Sequence, residues 1–143
     1  MKIKLLTYLE EKENLYLNAT ALLKTPQKRT TTKFILDTGS PETIINYTDA
    51  LRLNIPFITK GKIIKMGSRK FQGYEYGRLI FVFLTEDGNK VEENIKVIIL
   101  RPTGLSEIEE VDDIPTILGM NFLREREYKL FCDVSKEIAY LEK

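Results

Sequence analysis

Short segments in which apolar and polar residues alternate occupy most of this 143-residue chain, and they limit the folds open to it. Residues 2 to 8 and 14 to 23 alternate in this way, and residues 30 to 36 are rich in β-branched and apolar side chains. A period of two residues is typical of a strand with one buried face, whereas only two brief segments have a helical pattern. The sequence therefore predicts a single, mainly β domain over residues 1 to 143, with one or two short helices.

Turn residues divide the middle of the chain into hairpins. Residues 62 to 66 and 74 to 84 are predicted strands, and the segment from Gly67 to Gly73 that joins them has glycine at both ends. Asp87-Gly88 predicts a tight turn before a strand over residues 90 to 100. The middle of the chain should therefore form two successive hairpins.

Two short helices are expected where a capping residue precedes the apolar pattern. Thr48 is a candidate cap for a helix that ends at Leu53, and Asn121 is a candidate cap for a helix that runs to about Glu127. The remaining apolar segments are predicted to be strands over residues 114 to 118, 128 to 133 and 137 to 141.

Histidine is absent from the chain, and its absence excludes several kinds of chemistry. Catalytic triads that need an imidazole and zinc sites that need histidine ligands are both excluded. The only cysteine, Cys132, has no partner for an internal disulfide, and we expect it to lie buried in a strand. Any hydrolytic chemistry would have to use carboxylates.

The charges are nearly balanced, with 22 basic and 21 acidic residues. Such a balance provides no general field for nucleic acid or an anionic membrane, so we expect neither as a partner. No apolar run approaches the roughly 20 residues that span a bilayer, and we expect a soluble, cytoplasmic protein. The acidic residues between 101 and 113 do not match a calcium loop, so no metal or other cofactor is expected.

One loop carries the residues with the clearest chemical potential. The apolar strand Phe34-Ile35-Leu36 ends at Asp37-Thr38-Gly39-Ser40, and a later apolar strand, Thr116-Ile117-Leu118, ends at Gly119 and Met120-Asn121. Asp-Thr-Gly alone is a weak signal, because a turn at the end of a strand often uses the same residues. Together the two segments resemble those of the retropepsin-like aspartic peptidases, which include the retroviral proteases and their bacterial and archaeal relatives.

The resemblance covers the chain from about residue 30 to the C-terminus. It implies a closed β-barrel with one lobe per chain, and catalytic roles for Asp37, Thr38 and Gly39. Thr38 would brace the loop across a dimer axis, and Gly39 would let its backbone approach the carboxylate. Hydrolysis of a peptide bond by this chemistry needs two carboxylates that share one proton. Because each chain has one such loop, we expect a homodimer that cleaves peptides or proteins.

The same resemblance implies a set of substrate-binding residues. The Ser40 hydroxyl is expected to donate to the outer oxygen of Asp37, which would lower the pKa of that carboxyl. Glu42 is the candidate for holding the substrate backbone, because Pro41 has no group for this role. A flap hairpin that closes over an extended peptide would contribute Gly67, Ser68 and Arg69.

Two other interpretations remain open from the sequence. The chain could be a catalytically silent retropepsin-like dimer that binds peptides or assembles with a partner. It could also be a monomeric β-barrel binding module. If it is a dimer, residues 137 to 141 are the first candidate for the contact strand, and the N-terminal strand is the second candidate.

Overall fold

The computed structural model describes residues 1–9, 15–57, 61–66, 69–102 and 114–143. Within these ranges the chain is mainly β, as the alternating pattern predicts. Ten strands and two short helices lie there in this order: β1 Lys2–Leu9, β2 Leu15–Lys24, β3 Arg29–Leu36, β4 Ile44–Ile45, α1 Tyr47–Arg52, β5 Lys62–Met66, β6 Arg69–Leu84, β7 Lys90–Pro102, β8 Thr116–Leu118, α2 Met120–Glu125, β9 Lys129–Asp133 and β10 Ile138–Glu142.

Six of these strands form a closed β-barrel. Their hydrogen-bonded order is β2, β3, β8, β4, β7 and β6, and a pairing of residues 22–24 with residues 80–82 joins β6 back to β2. The contacts of β3 with β8 and of β4 with β7 are parallel, and the others are antiparallel. The parallel contact matters for function because it places the end of β3, where Asp37 follows, beside the end of β8, where Gly119 follows.

Four strands lie outside the barrel. β5 pairs with β6, while β1, β10 and β9 continue the sheet outward from β2. β1 and β2, which the alternating pattern predicted as strands, pair antiparallel, with Leu6 opposite Asn18 and Leu9 opposite Leu15. β10 lies between β1 and β9 and is paired on both sides, so the strand expected to form the dimer contact has no free edge.

The core lies inside the barrel and beneath α2. Alternate residues of β3 are buried, and Phe34 is completely inaccessible to solvent. Its ring meets that of Phe83 edge-on at 5.7 Å, and Phe83 lies 5.5 Å from Phe122 of α2. Burial of each such side chain contributes about 1.5 to 3 kcal/mol. Phe34 therefore anchors β3 in the core shortly before the loop that begins at Asp37.

Both helices begin earlier than the sequence predicts. The side chain of Asn46, not that of Thr48, caps α1 by accepting a hydrogen bond from the Asp49 backbone N–H. Helix α2 follows Gly119, which provides no side-chain cap, so the prediction that Asn121 is the cap is wrong. Asn121 lies inside the helix, and its side-chain amide makes the hydrogen bonds described below.

The predicted boundary at Tyr74 is also wrong, because β6 begins at Arg69. Gly73 pairs with Lys62 on one side and with Leu100 on the other, so it lies within the strand. The side chains of Ile64 and Ile98 occupy the space that a Cβ on Gly73 would need. The glycine that resembled a turn residue is a packing requirement. The other glycine turn signal is confirmed, since Gly88 has a φ of 86° between β6 and β7.

Cys132 is exposed, and the prediction that it is buried is wrong. It lies in β9, which is at the end of the strand order and pairs with β10 alone among the described strands. Gly67 and Ser68, which were predicted to belong to a flap, and the acidic segment over 103–113 lie outside the described residues. Of the helices in the described ranges, none is long and apolar enough to span a bilayer.

Candidate active site

Asp37 is the first residue after β3, and backbone hydrogen bonds hold it on the barrel. Its N–H donates to the carbonyl oxygen of Leu118 at 3.1 Å, which continues the parallel contact between β3 and β8. Its own carbonyl oxygen accepts the N–H of Ser40 at 3.1 Å and closes a tight turn. The Asp37 side chain is exposed. A rigid strand therefore presents an accessible carboxylate to solvent.

Gly39 orients that carboxylate. Its backbone N–H donates to Oδ1 of Asp37 at 2.8 Å, and a Cβ on residue 39 would lie only 3.1 Å from the same oxygen. The close approach expected for this glycine is present. Thr38 lies exposed at the tip of the turn. Because one oxygen of Asp37 is held by the backbone, the other is free to face a substrate or water.

The Ser40 hydroxyl does not make the predicted hydrogen bond to Asp37. It donates to the backbone carbonyl oxygen of Glu42 at 2.7 Å. A hydroxyl has a single proton to donate, so this bond uses it within the loop. In this structure Ser40 shapes the loop after Asp37 and does not act on its carboxylate.

The segment at Gly119 and the start of α2 hold the loop that follows Asp37 through backbone hydrogen bonds. The backbone N–H of Met120 donates to the carbonyl oxygen of Ser40 at 2.8 Å, and that of Asn121 donates to Pro41 at 3.1 Å. Two of the N–H groups at the start of α2, which lack partners within the helix, thus hold the loop. A Cβ on Gly119 would overlap the backbone of Glu42. The Asp-Thr-Gly-Ser loop and the Ile-Leu-Gly segment therefore form one packed unit.

A buried polar pair completes this support, and the sequence analysis assigned it no role. The hydroxyl of Thr43, which is fully buried, donates to Oδ1 of Asn121 at 2.7 Å and accepts the N–H of Gly119 at 3.1 Å. The amide of Asn121 donates in turn to the carbonyl oxygen of Lys96 in β7 at 3.2 Å. The available signal was that Asn121 belongs to the second motif and that Thr43 follows the first motif closely in the sequence.

Asp37 lines a cleft of about 720 Å³ whose opposite wall is β5. The loop contributes Gly39, Ser40, Pro41 and Glu42, and β5 contributes residues 62–65. Ile44 and Ile117 give the cleft an apolar lining beside the carboxylate. The Nζ of Lys62 lies 3.7 Å from the Oε1 of Glu42, so an exposed ion pair links the two walls.

A second cleft also borders Asp37 and measures about 720 Å³. Asp37 and Thr38 line it together with Leu130 and Cys132 of β9. The carboxylate is thus flanked by two concave surfaces, each bounded by a strand from one end of the strand order.

The structure brings together most of the predicted site residues that it describes. Asp37, Gly39, Ser40 and Glu42 line the first cleft, and Thr38 lines the second. Arg69 pairs with Met66 at one end of the contact between β5 and β6. The pair of Lys62 and Gly73 lies at the other end of that contact. The residues of β5 that face Asp37 were not predicted as site residues, because their strand pattern does not distinguish a cleft wall from any other strand.

No family model matches the sequence, and no curated protein matches it. Among solved structures, the chain is similar to the crystal structure of a retropepsin-like aspartic protease from Rickettsia conorii. The superposition has a TM-score of 0.58 and covers 99% of this chain and 90% of the other, at 19% sequence identity. Identity at this level establishes the fold alone. The chain therefore has a retropepsin-like fold: mainly β, with a closed six-stranded barrel and two short helices in its described part.

Proposed function

We propose that this protein is an aspartic endopeptidase that acts as a homodimer, with Asp37 of each subunit forming the catalytic pair. The observation that carries the proposal is the setting of Asp37. An exposed carboxylate, held by the Gly39 N–H, lies at the end of a barrel strand and lines a cleft with a strand edge opposite. The retropepsin-like fold supports a peptidase at the general level.

The reaction needs the two carboxylates to share one proton. Two carboxyl groups in close contact cannot both be ionised, so one acts as a base and the other as an acid. The ionised Asp37 takes a proton from water as the oxygen attacks the peptide carbonyl carbon, and the protonated Asp37 gives its proton to the carbonyl oxygen. The tetrahedral intermediate then collapses: the carboxyl that took the proton from water gives it to the amide nitrogen, the other carboxylate takes a proton from a hydroxyl of the intermediate, and the C–N bond breaks. The pair would titrate as a unit with two apparent pKa values.

The cleft suits an extended peptide. In the described part of the chain β5 pairs with β6 alone, so its outer edge can receive a further strand by backbone hydrogen bonds. The apolar side chains of Ile44 and Ile117 would contact side chains of the substrate. Glu42 is the proposed contact for the substrate backbone, and it would exchange its ion pair with Lys62 for that contact.

The remaining proposed roles concern the hairpin tip, the dimer axis and the compartment. Gly67, Ser68 and Arg69 are proposed to cover the bound peptide, and Thr38 to brace the two loops across the axis. A reducing compartment such as the cytoplasm suits the enzyme, because the chain has one cysteine and so no internal disulfide. No bound metal or other cofactor enters this mechanism.

The proposal is tested by digesting a peptide library at several pH values with the unmodified protein and with Asp37→Asn. We expect Asp37→Asn to reduce cleavage at least about a hundredfold, the scale of general acid–base catalysis. Asp87→Asn is the matched control, because it makes the same change at an exposed turn between β6 and β7. A pepstatin-type inhibitor should block the unmodified protein. Peptide binding without cleavage would favour the silent binding module, and equal cleavage by Asp37→Asn would refute the proposal.

A further inference from the structure

The strand that forms one wall of the first cleft, β5, has two different faces. It contributes Lys62, Ile63, Ile64 and Lys65 to the lining of the cleft. Successive side chains of a strand point to opposite faces, so Lys62 and Ile64 lie on one face and Ile63 and Lys65 on the other. Ile64 packs against a buried apolar cluster, whereas Ile63 is 59% exposed. The face of Ile64 is therefore the inner face of β5, and the face of Lys65 is the outer one.

The two lysines of this wall differ in their surroundings. The Nζ of Lys62 lies 3.7 Å from the Oε1 of Glu42, so its positive charge is offset within the cleft. Lys65 lies three residues further along, about 10 Å away. It is exposed, and in the part of the chain that the structure describes it belongs to no ion pair. Lys65 therefore gives this end of the cleft a positive charge that no ion pair of the described residues offsets.

The neighbouring strand places a second ammonium group beside the first. Lys70 of β6 lies directly opposite Lys65 in the pairing of the two strands, and both side chains are exposed. Directly opposite residues lie on the same face of a sheet, where like charges repel each other. A carboxylate beside Lys65 would reduce this repulsion, because an opposite charge attracts both ammonium groups.

An extended peptide in the cleft would meet both faces of β5. Among the described strands β5 pairs with β6 alone, so a peptide can pair with its outer edge by backbone hydrogen bonds. Peptide side chains on the inner face would contact Ile44 and Ile117, which line the cleft. The side chains that alternate with them would lie on the outer face, beside Lys65. One face thus favours apolar side chains and the other favours acidic ones.

We propose that the cleft selects extended peptides with a Glu or Asp side chain at the position that faces Lys65, next to an apolar residue on the inner face. The proposal rests on the proposed function, because it names the substrate class of the same site. Lys65 would determine specificity and would take no part in bond breaking. A contact that is equally strong in the bound substrate and in the transition state changes KM and leaves kcat unchanged.

The test measures binding, so that it does not depend on cleavage. The probes are fluorescein-labelled octapeptides with a central Leu-Phe pair and alanine elsewhere, in which each outer position in turn carries Glu, Gln or Lys. Fluorescence anisotropy gives their affinities for the unmodified protein. At the position that faces Lys65, we expect Glu to bind about two- to fivefold more tightly than Gln, the scale of an exposed ion pair, and Lys to bind more weakly. Added salt should reduce this difference.

Three variants assign the preference to Lys65. Lys65→Glu should reverse the order of the Glu and Lys peptides at that position, and Lys65→Gln should abolish the difference. Lys90→Glu is the matched control, because it makes the same charge change at an exposed residue that pairs with Leu84 at the start of β7. It should keep the order of the unmodified protein. Where the peptides are cleaved, the Glu peptide should have the lower KM and an equal kcat.

The outcomes separate this proposal from the peptidase. If Glu is preferred at no position, or if Lys65→Glu and Lys90→Glu change the order alike, the role of Lys65 is refuted. Cleavage that depends on Asp37 would in that case leave the peptidase proposal standing. Binding whose charge preference is reversed in Lys65→Glu, without cleavage by the unmodified protein, would support the role of Lys65 and refute the peptidase.

Discussion

Gly119 lies directly against the backbone carbonyl of Glu42, so closely that a Cβ on residue 119 would overlap the carbonyl carbon and oxygen. The contact joins the end of β8 to the loop that follows Asp37. It explains why a glycine is needed at this position although its φ of −96° is accessible to any residue. The need arises from packing between two segments that are far apart in sequence.

Gly119→Ala should therefore destabilise the fold. We expect a loss of about 1 to 3 kcal/mol in the free energy of unfolding, the usual result of overpacking, since the atoms in the way are backbone. Gly77→Ala is the matched control, because no atom lies within 4 Å of the added Cβ. Its effect should stay within about 1 kcal/mol. Urea unfolding at a fixed protein concentration measures both, and equal stability of the two variants would contradict the packing argument.

Thr43→Val tests how much the hydrogen bonds of the Thr43 hydroxyl contribute to stability, apart from the packing of its methyl group. The change removes the partner of the Gly119 N–H and of the Asn121 side-chain oxygen, both of which are buried. Each unsatisfied buried group costs about 1 to 3 kcal/mol, so for the two groups we expect a total loss of about 2 to 6 kcal/mol. Thr43→Ser keeps the hydroxyl and should cost about 1 kcal/mol for the lost methyl. A larger loss for Thr43→Ser, measured by urea unfolding, would show that packing matters more than the hydrogen bonds.

Ser40→Ala should leave the pH dependence of cleavage unchanged. The hydroxyl donates to the Glu42 carbonyl oxygen and has no second proton for Asp37. The loss of this bond should reduce stability by about 1 kcal/mol. The pH profile of kcat/KM for Ser40→Ala beside the unmodified protein, under the proposed peptidase function, is the measurement. A shift of the acidic limb to higher pH in the variant would show that the hydroxyl does serve Asp37.

Ser135→Ala should raise the pKa of Asp133. The Ser135 hydroxyl and the Lys136 backbone N–H both donate to Oδ1 of Asp133, and they hold the pKa of that carboxyl below its usual 3.8. A carboxyl whose pKa is lowered by folding adds stability above the unfolded value, and this is lost as the pH falls through the folded value. Unfolding between pH 5 and pH 2 should thus depend less on pH in Ser135→Ala.

NMR titration of the Asp133 carboxyl carbon gives the pKa directly. Lys136→Gln is the control, because it keeps the backbone N–H and removes only an exposed ammonium 3.9 Å from Oδ2. Exposed pairs of this kind contribute little, so the pKa should change less than in Ser135→Ala. An unchanged pKa in Ser135→Ala would show that the hydroxyl is not the main cause of the shift.

Features that depend on neighbouring residues in the chain were predictable from the sequence. Alternation identified β1 and β2, and the Asp87-Gly88 pair identified the turn between β6 and β7. The apolar run before Asp37 identified the strand that presents the carboxylate. These signals are local, because a period of two and a glycine with positive φ are properties of a few adjacent residues.

The errors share a different cause. In the sequence Gly73 resembles a turn glycine. In the structure it lies within β6, packed against Ile64 and Ile98 from the two neighbouring strands. Cys132 has an apolar strand around it, but it is exposed because β9 is an edge. Ser40 donates to Glu42 because the loop folds back toward α2. None of these contacts can be inferred from the local pattern.

The sequence by itself determined that the chain is mainly β and that any hydrolytic chemistry must use carboxylates, since periodicity and residue type belong to the chain alone. Only the tertiary structure decided that the Asp37 loop rests on Gly119, Thr43 and Asn121, and that β5 and β9 each line a cleft that borders it. Barrel closure brings these distant segments together, and hydrogen bonds and close packing act only between groups already in contact.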